Sequence, residues 1–247
     1  MQLNSKHKLL LLSLAALLLA ALGIYLGFWQ LGRAAQKETL QATIQSQAGK
    51  KTLDQQVLLD VNDVSSLLYQ PVRLTGQWVP QSTVYLDNRQ MEGKVGFFVL
   101  TPLRLEGSDK VIVVQRGWAQ RNFEQRETVP VVETPSGLVQ VEGHIALAPS
   151  KLYEPGQSSR QLIRQNLDIA LYRKETGLKL LDFTARQTGA TSEGLRRAWP
   201  PINFAVEKHY GYAFQWFGLS ALVIALYLWF QIFRRFIFRS KDASPHV

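Results

Sequence analysis

A histidine placed five residues ahead of a long apolar run, with aromatic rings around it, is the one constellation in this 247-residue sequence with coordination chemistry to offer. His209 is followed by Tyr210, Tyr212, Phe214, Trp216 and Phe217. Imidazole ligates iron, and flat rings give apolar contact to a macrocycle, so the cluster has the composition of an open-faced porphyrin site with His209 as the metal ligand. An interfacial aromatic belt accounts for the same residues, because Tyr and Trp concentrate where a helix leaves the hydrocarbon. Trp29-Gln30-Leu31-Gly32-Arg33 closes the other long apolar run at the same depth. Arg33 has the fork that pairs with carboxylates such as propionates, and equally the reach to snorkel toward lipid headgroups. On a helix beginning near Phe204, His209, Tyr212, Trp216 and Ser220 fall on one stripe, with Ala213 beside them. The candidate site is therefore His209 with Trp29, Arg33, Tyr212 and Trp216.

Other chemistry has little material. Of the remaining histidines, His7 and His246 lie in the terminal tails, and His144 falls on the polar face of an alternating segment, where it reads as solvated. Cysteine is absent, which removes disulfides, thiolate metal sites and a C-x-x-C-H haem attachment. Met1 and Met91 are the only thioethers, too few for a copper carrier. No Gly-x-Ser-x-Gly elbow, Walker loop, His-Glu-x-x-His pair or Gly-x-Gly-x-x-Gly turn occurs, and the carboxylates are scattered, so no enzyme activity is expected.

The elements that must position this site are the apolar runs themselves. Leu9 to Trp29 and Phe214 to Phe233 carry no formal charge, and at about 1.5 Å per residue each is long enough for the roughly 30 Å hydrocarbon layer. A cleaved signal peptide ending near Ala21-Leu22-Gly23 competes for the first run, but the run continues to Phe28-Trp29. Lys6 and Lys8 precede the first run, and Arg234, Arg235, Arg239 and Lys241 follow the second, so both termini are expected on the cytoplasmic side of a bacterial inner membrane and the middle in the periplasm. These tails hold six of the 28 Lys and Arg and one of the 19 acids. Elsewhere 22 basic residues face 18 acidic ones, so the formal charge of +9 marks contact with anionic lipid rather than a nucleic-acid surface. Gly23 and Gly27, continued by Gln30, make a small-residue face for the second span or for another chain, which leaves a homo-oligomer open.

Between the spans, residues 30–70 read as a helical stalk with a lead-in segment, its helix-compatible part running from Arg33 to Gln47. From Pro71 to Pro201 the pattern becomes short apolar runs of period two. Strands are predicted over Val72 to Val79, Val84 to Leu86, Gly96 to Leu105, Val111 to Gln115, Leu138 to Leu147 and Leu178 to Thr184. Gly107-Ser108-Asp109 predicts a hairpin turn, and Asp87-Asn88-Arg89 a strand end and turn. Ser150 to Arg160 reads as a loop, and Gly189 to Pro201 as another. A short helix is predicted up to Thr176, starting at Asn166 or Asp168 and stopping at Gly177. Residues 202–213 form an interfacial segment before the second span. The fold class is thus a membrane protein whose two transmembrane α-helices flank a mainly antiparallel α+β exported domain, with barrel and sandwich closure both open.

Several segments, taken in order, resemble one known family. Gly27-Phe28-Trp29-Gln30-Leu31-Gly32-Arg33 with Lys37 is similar to the end of the first span in the surfeit-locus-one family. Pro71-Val72-Arg73-Leu74-Thr75-Gly76, Val84 to Arg89, Gly93 with Gly96-Phe97, Thr101-Pro102, and Val111 to Val114 leading into Arg116-Gly117-Trp118 match its middle signatures. His209-Tyr210-Gly211-Tyr212-Ala213-Phe214-Gln215-Trp216-Phe217 resembles its His-x-x-Tyr-Ala-x-x-Trp-Phe element. The resemblance implies a cytochrome c oxidase assembly factor, a chaperone of respiratory complex IV biogenesis. It would bind haem a transiently through His209 and aid its insertion into oxidase subunit I, with haem a synthase as a further partner. A cofactor-free scaffold that stabilises a nascent oxidase subunit remains the alternative. For Arg116, Gly117 and Trp118 the residue types read as the end of a core strand: an ion-paired arginine, a glycine at a close backbone approach, and a tryptophan capping the core.

Overall fold

A computed structural model describes residues 5–61, 63–122, 124–125, 128–153, 161–199 and 204–233. It forms two compact units, one holding the two long helices and one spanning residues 43–202. The basic tail after residue 233, and parts of the two loops expected over 150–160 and 189–201, lie outside the described residues.

The helices are α1, Ser5–Ala48, and α4, Val206–Leu228, which continues as a π-helical turn over Trp229–Phe233. Both are long and apolar enough to cross a membrane, and only 11% of the most apolar stretch of each is buried, unlike the core helix of a soluble domain. The polar stalk is not a separate element, because α1 runs unbroken through it to Ala48. Its Ala, Gln, Lys and Glu residues are good helix formers, and no Gly or Pro interrupts them between Arg33 and Ala48.

The other unit is built from β1 (Leu53–Asp54), α2 (Gln55–Asp60), β2 (Pro71–Trp78), β3 (Val84–Met91), β4 (Lys94–Leu105), β5 (Val111–Gln120), β6 (Leu138–Ala146), β7 (Ile163–Arg164), α3 (Ile169–Thr176) and β8 (Leu180–Gln187). The strand order is β1-β2-β6-β8-β5-β4-β3-β7, and β2 also pairs with β4. The five strands β2, β6, β8, β5 and β4 therefore close on themselves, which decides for a barrel over a sandwich. Closure runs through Gly76, Gln77 and Trp78 against Leu105, Arg104 and Leu103. At that seam a Cβ on Gly76 would lie 2.2 Å from the Arg104 carbonyl oxygen, so the backbones meet only because this residue has no side chain. Neighbours are mostly antiparallel, but β5 and β8 are parallel. Such a pair needs a long crossover, here the segment carrying β6, β7 and α3. Leu74, Leu103, Ile112, Val114, Val141 and Phe183 fill the barrel.

Three strands, β3, β5 and β8, outrun their predicted C-terminal ends, and β3 and β5 do so through a bulge. In β3 the register shifts between Leu86 and Arg89, with Asn88 at φ 57°, so Asp87-Asn88-Arg89 is a bulge within the strand rather than its end. In β5, Val99 faces Gly117 and Leu100 faces Gln115, leaving Arg116 as the extra residue. The bulge re-aims Arg116 into the interior, 4.6 Å above the Trp78 ring. There its fully buried guanidinium donates to Thr134 Oγ1 and the Glu133 carbonyl and pairs with Glu193 at 3.1 Å. Glu193 also pairs with Arg197 at 3.0 Å, so one carboxylate serves two guanidiniums. Trp118, equally buried, donates from its indole to the Arg89 carbonyl.

The short helix begins one residue after Asp168, whose carboxylate accepts from the amides of Ala170 and Leu171, and Gly177 ends it in the left-handed conformation. These amides, chiefly that of Leu171, with Lys151 nearby, hold the Asp168 carboxyl below its ordinary value. Asp168→Ala is expected to cost about 1 kcal/mol near neutral pH. The parent has the cap only while the carboxyl is ionised, so its advantage fades as pH falls below about 4. Urea unfolding at neutral and acid pH checks this. Glu193→Gln, which keeps the shape and leaves Arg116 and Arg197 without a counter-charge, is expected to cost about 3–5 kcal/mol in the same assay.

Candidate functional site

The site is assembled from the facing stripes of α1 and α4. On α1 the inward positions include Ser13, Ala20, Gly23, Gly27, Gln30 and Ala34; on α4 they include Val206, His209, Ala213, Trp216, Ser220 and Tyr227. Steps of three and four alternate along both, the 3.5-residue period of a left-handed helix pair crossing at about 20°. Small residues dominate the α1 stripe, and α4 lies almost against its backbone. A Cβ on Gly23 would stand 2.2 Å from Ser220 Oγ, and one on Gly27 would stand 2.5 Å from the Phe217 ring. Phe217 in turn meets Phe28 edge to face, with centroids 5.3 Å apart. The partner of the glycine face is thus the second apolar helix of the same chain. At one end Ser13 Oγ and the Tyr227 hydroxyl lie 2.7 Å apart. Toward the other end, His209 Nδ1 meets Gln30 Oε1 at 2.7 Å, and the Tyr210 hydroxyl donates to Glu38 at 2.9 Å.

The His209–Gln30 hydrogen bond sets the chemistry of the ring. An amide oxygen only accepts, so Nδ1 carries the proton and Nε2 keeps a free lone pair, which is the form that ligates a metal. The ring is half-buried. Trp216 is half-buried on the same face, whereas Trp29 and Tyr212 turn outward and are about half exposed, at 50% and 51%. Tyr212 therefore leaves the expected stripe, because the packed face follows the 3.5-residue period through Ala213, and a residue one position earlier points away from it. The helix also begins at Val206 rather than Phe204, with Ala205 in a left-handed conformation ahead of it. Arg33 is exposed and donates to Gln36 at 3.0 Å. Both Arg33 and Lys37 are near enough for their charges to act at the His209 ring. Among the described residues no group of three or more His, Cys, Asp or Glu side chains gathers to hold a metal.

Gln30, expected on the small-residue packing face, is also the hydrogen-bond partner of His209. Its signal was an amide three residues after Gly27, on the small-residue stripe, where a long polar side chain has to find a hydrogen bond inside the helix pair.

A profile of the SURF1 family matches residues 17–221, from within α1 to within α4. A SURF1-like protein of Rickettsia bellii is 28% identical over 218 residues, which is 86% of this chain and 86% of that protein. A SURF1-like protein of Drosophila melanogaster is 26% identical over 265 residues, covering 95% of this chain and 82% of the relative. The cytochrome oxidase assembly protein SHY1 of Saccharomyces cerevisiae is 24% identical over 97 residues, 39% of this chain and 25% of that protein.

Replacing Gly23 by Leu puts a side chain where Ser220 now sits, and the helices are expected to separate by on the order of 2 Å. Because the chain has no cysteine, spin labels on Leu19→Cys and Leu222→Cys report this distance without background. An unchanged distance in the Gly23→Leu background would show that the glycine face does not set the helix spacing.

Proposed function

Because the chain belongs to the SURF1 family, we propose that it is a non-enzymatic assembly factor for a cytochrome c oxidase, anchored by α1 and α4 in a bacterial inner membrane. Its cargo in this reading is haem a, passed toward oxidase subunit I. The yeast relative SHY1 is a cytochrome oxidase assembly protein, which supports the assembly role. The basic residues beside both apolar helices support cytoplasmic termini, with the barrel on the periplasmic side.

The cargo reading rests on one observation, the 2.7 Å hydrogen bond from His209 to Gln30. A bond of this kind orients a ligating imidazole and raises its basicity. Gln30 is then a positioning residue, and His209 the axial ligand through Nε2. The rings of Trp29, Tyr212 and Trp216 would supply flat apolar contact to the porphyrin. Arg33 and Lys37 supply cations for its propionates. As the one imidazole at the site, His209 would hold the haem alone, which favours hand-over rather than permanent storage. Haem a synthase is the natural source of the cargo and subunit I its acceptor.

The test is the reduced-minus-oxidised visible spectrum of the detergent-purified chain from cells that make haem a. The parent is expected to show a haem a band and His209→Ala to lack it. Gln30→Leu is expected to retain haem about tenfold less tightly. A folded parent without haem, together with normal oxidase assembly by His209→Ala, would replace this reading with the cofactor-free scaffold.

A further inference from the structure

Among the guanidiniums drawn into the barrel unit, Arg186 on β8 differs from Arg89, Arg116 and Arg164 in having neither a hydrogen bond nor an ion pair among the described residues. Its Nε is buried and makes no hydrogen bond, and among the described residues it forms no ion pair. The ring of Trp199 lies 5.5 Å from the guanidinium carbon. Trp199 is itself fixed, donating from its indole to the Gln187 carbonyl at 2.7 Å and meeting Phe98 edge to face at 5.1 Å. Arg186 lies directly across the β6–β8 ladder from His144, and side chains so placed have Cβ atoms about 5 Å apart. Tyr69, which leads into β2, is within electrostatic reach of Arg186. It is held at φ 70° while its amide donates to the Ile145 carbonyl at 2.8 Å. Neither the Tyr69 hydroxyl nor the His144 ring has a hydrogen-bond partner among the described residues. His144 is thus half-buried beside a cation rather than solvated, as its place on the polar face of the strand had suggested.

We propose that Arg186, His144 and Tyr69, backed by Trp199, form a docking site for a carboxylate on an acidic segment of a partner protein. An uncompensated cation in a half-buried place is costly, and an incoming anion offsets that cost with less further desolvation than a fully exposed guanidinium would need. The guanidinium fork matches a carboxylate bidentately, and its place over the Trp199 ring restricts it, so less side-chain freedom is lost on binding. A protein partner fits better than a free anion for two reasons. Arg186, His144, Tyr69 and Trp199 are all half-buried, so they form an open patch rather than a closed cavity. Arg, Tyr and Trp together are also the residue types that dominate binding energy at protein interfaces. Burial and the charge of Arg186 both hold the His144 ring below its ordinary value. It is therefore neutral near pH 7, with one nitrogen that donates.

The full-length chain in detergent is titrated with a fluorescent peptide of alternating Glu and Ala, and with its Gln-for-Glu counterpart. The parent is expected to bind only the acidic peptide. Arg186→Gln is expected to weaken that binding by about tenfold and Tyr69→Phe by about threefold. Arg104→Gln, which removes an exposed cation on β4, is expected to leave it unchanged. If Arg186→Gln unfolds the chain, Arg186→Lys, which keeps the charge but not the fork, and Tyr69→Phe carry the test. Equal binding by the parent and the Arg186 and Tyr69 variants would overturn the proposal and leave Arg186 a packing residue. Displacement of the peptide by free glutamate at equal carboxylate concentration, or by phosphatidylglycerol in the micelle, would overturn it in favour of a small-anion or lipid site.

Discussion

Two helices can bring a histidine and a glutamine to 2.7 Å from each other only where their backbones approach closely, and in this chain Gly23 and Gly27 permit that approach. In a lipid environment the hydrophobic effect supplies no net pull between apolar helices, so their association depends on packing and on the few polar contacts made across the seam. Here those contacts are the Ser13–Tyr227, His209–Gln30 and Tyr210–Glu38 pairs, strung along one antiparallel seam. The glycines set the distance and the polar pairs set the register. A change of one residue in that register would move Gln30 off His209, and with it the proton that decides which ring nitrogen is free.

The barrel unit solves a different problem, that of closing five strands without cysteine. Its seam depends on Gly76, where a side chain would collide with the opposite backbone. The end of the barrel near Trp78 is filled by Arg116, turned inward by the bulge in β5 and paired with Glu193. The Arg-Gly-Trp run is therefore structural: Arg116 and Trp118 are both fully buried, and each is tied to a segment outside its own strand.

Buried cations recur in this unit, and their environments differ. Arg116 has a carboxylate and Arg164 a bidentate one from Glu175. Arg89 relies on the carbonyls of Ser150 and Gln165, which clamp the segment before α3 to β3. Arg186 has only an aromatic face. The first three make hydrogen bonds or ion pairs within the chain and read as scaffold. The fourth has no carboxylate partner among the described residues.

Much of this was legible in the sequence because it follows from local chemistry. Uncharged apolar runs of about twenty residues make helices of membrane length whatever surrounds them, period-two alternation makes half-buried strands, and Asp168 and Gly177 bracket a short helix by hydrogen bonding and by backbone conformation. His209 stood out for the same reason, as a ligand type set among aromatic rings. Long-range contacts decided the rest. Barrel closure, the parallel β5–β8 pair and the bulge that redirects Arg116 depend on partners dozens of residues away, and a bulge leaves a strand's composition unchanged. Nothing local distinguishes Gln30 from other polar residues at the end of a span, or Arg186 from other strand arginines. Their roles depend on what faces them: His209 across a glycine seam in one case, and no carboxylate among the described residues in the other.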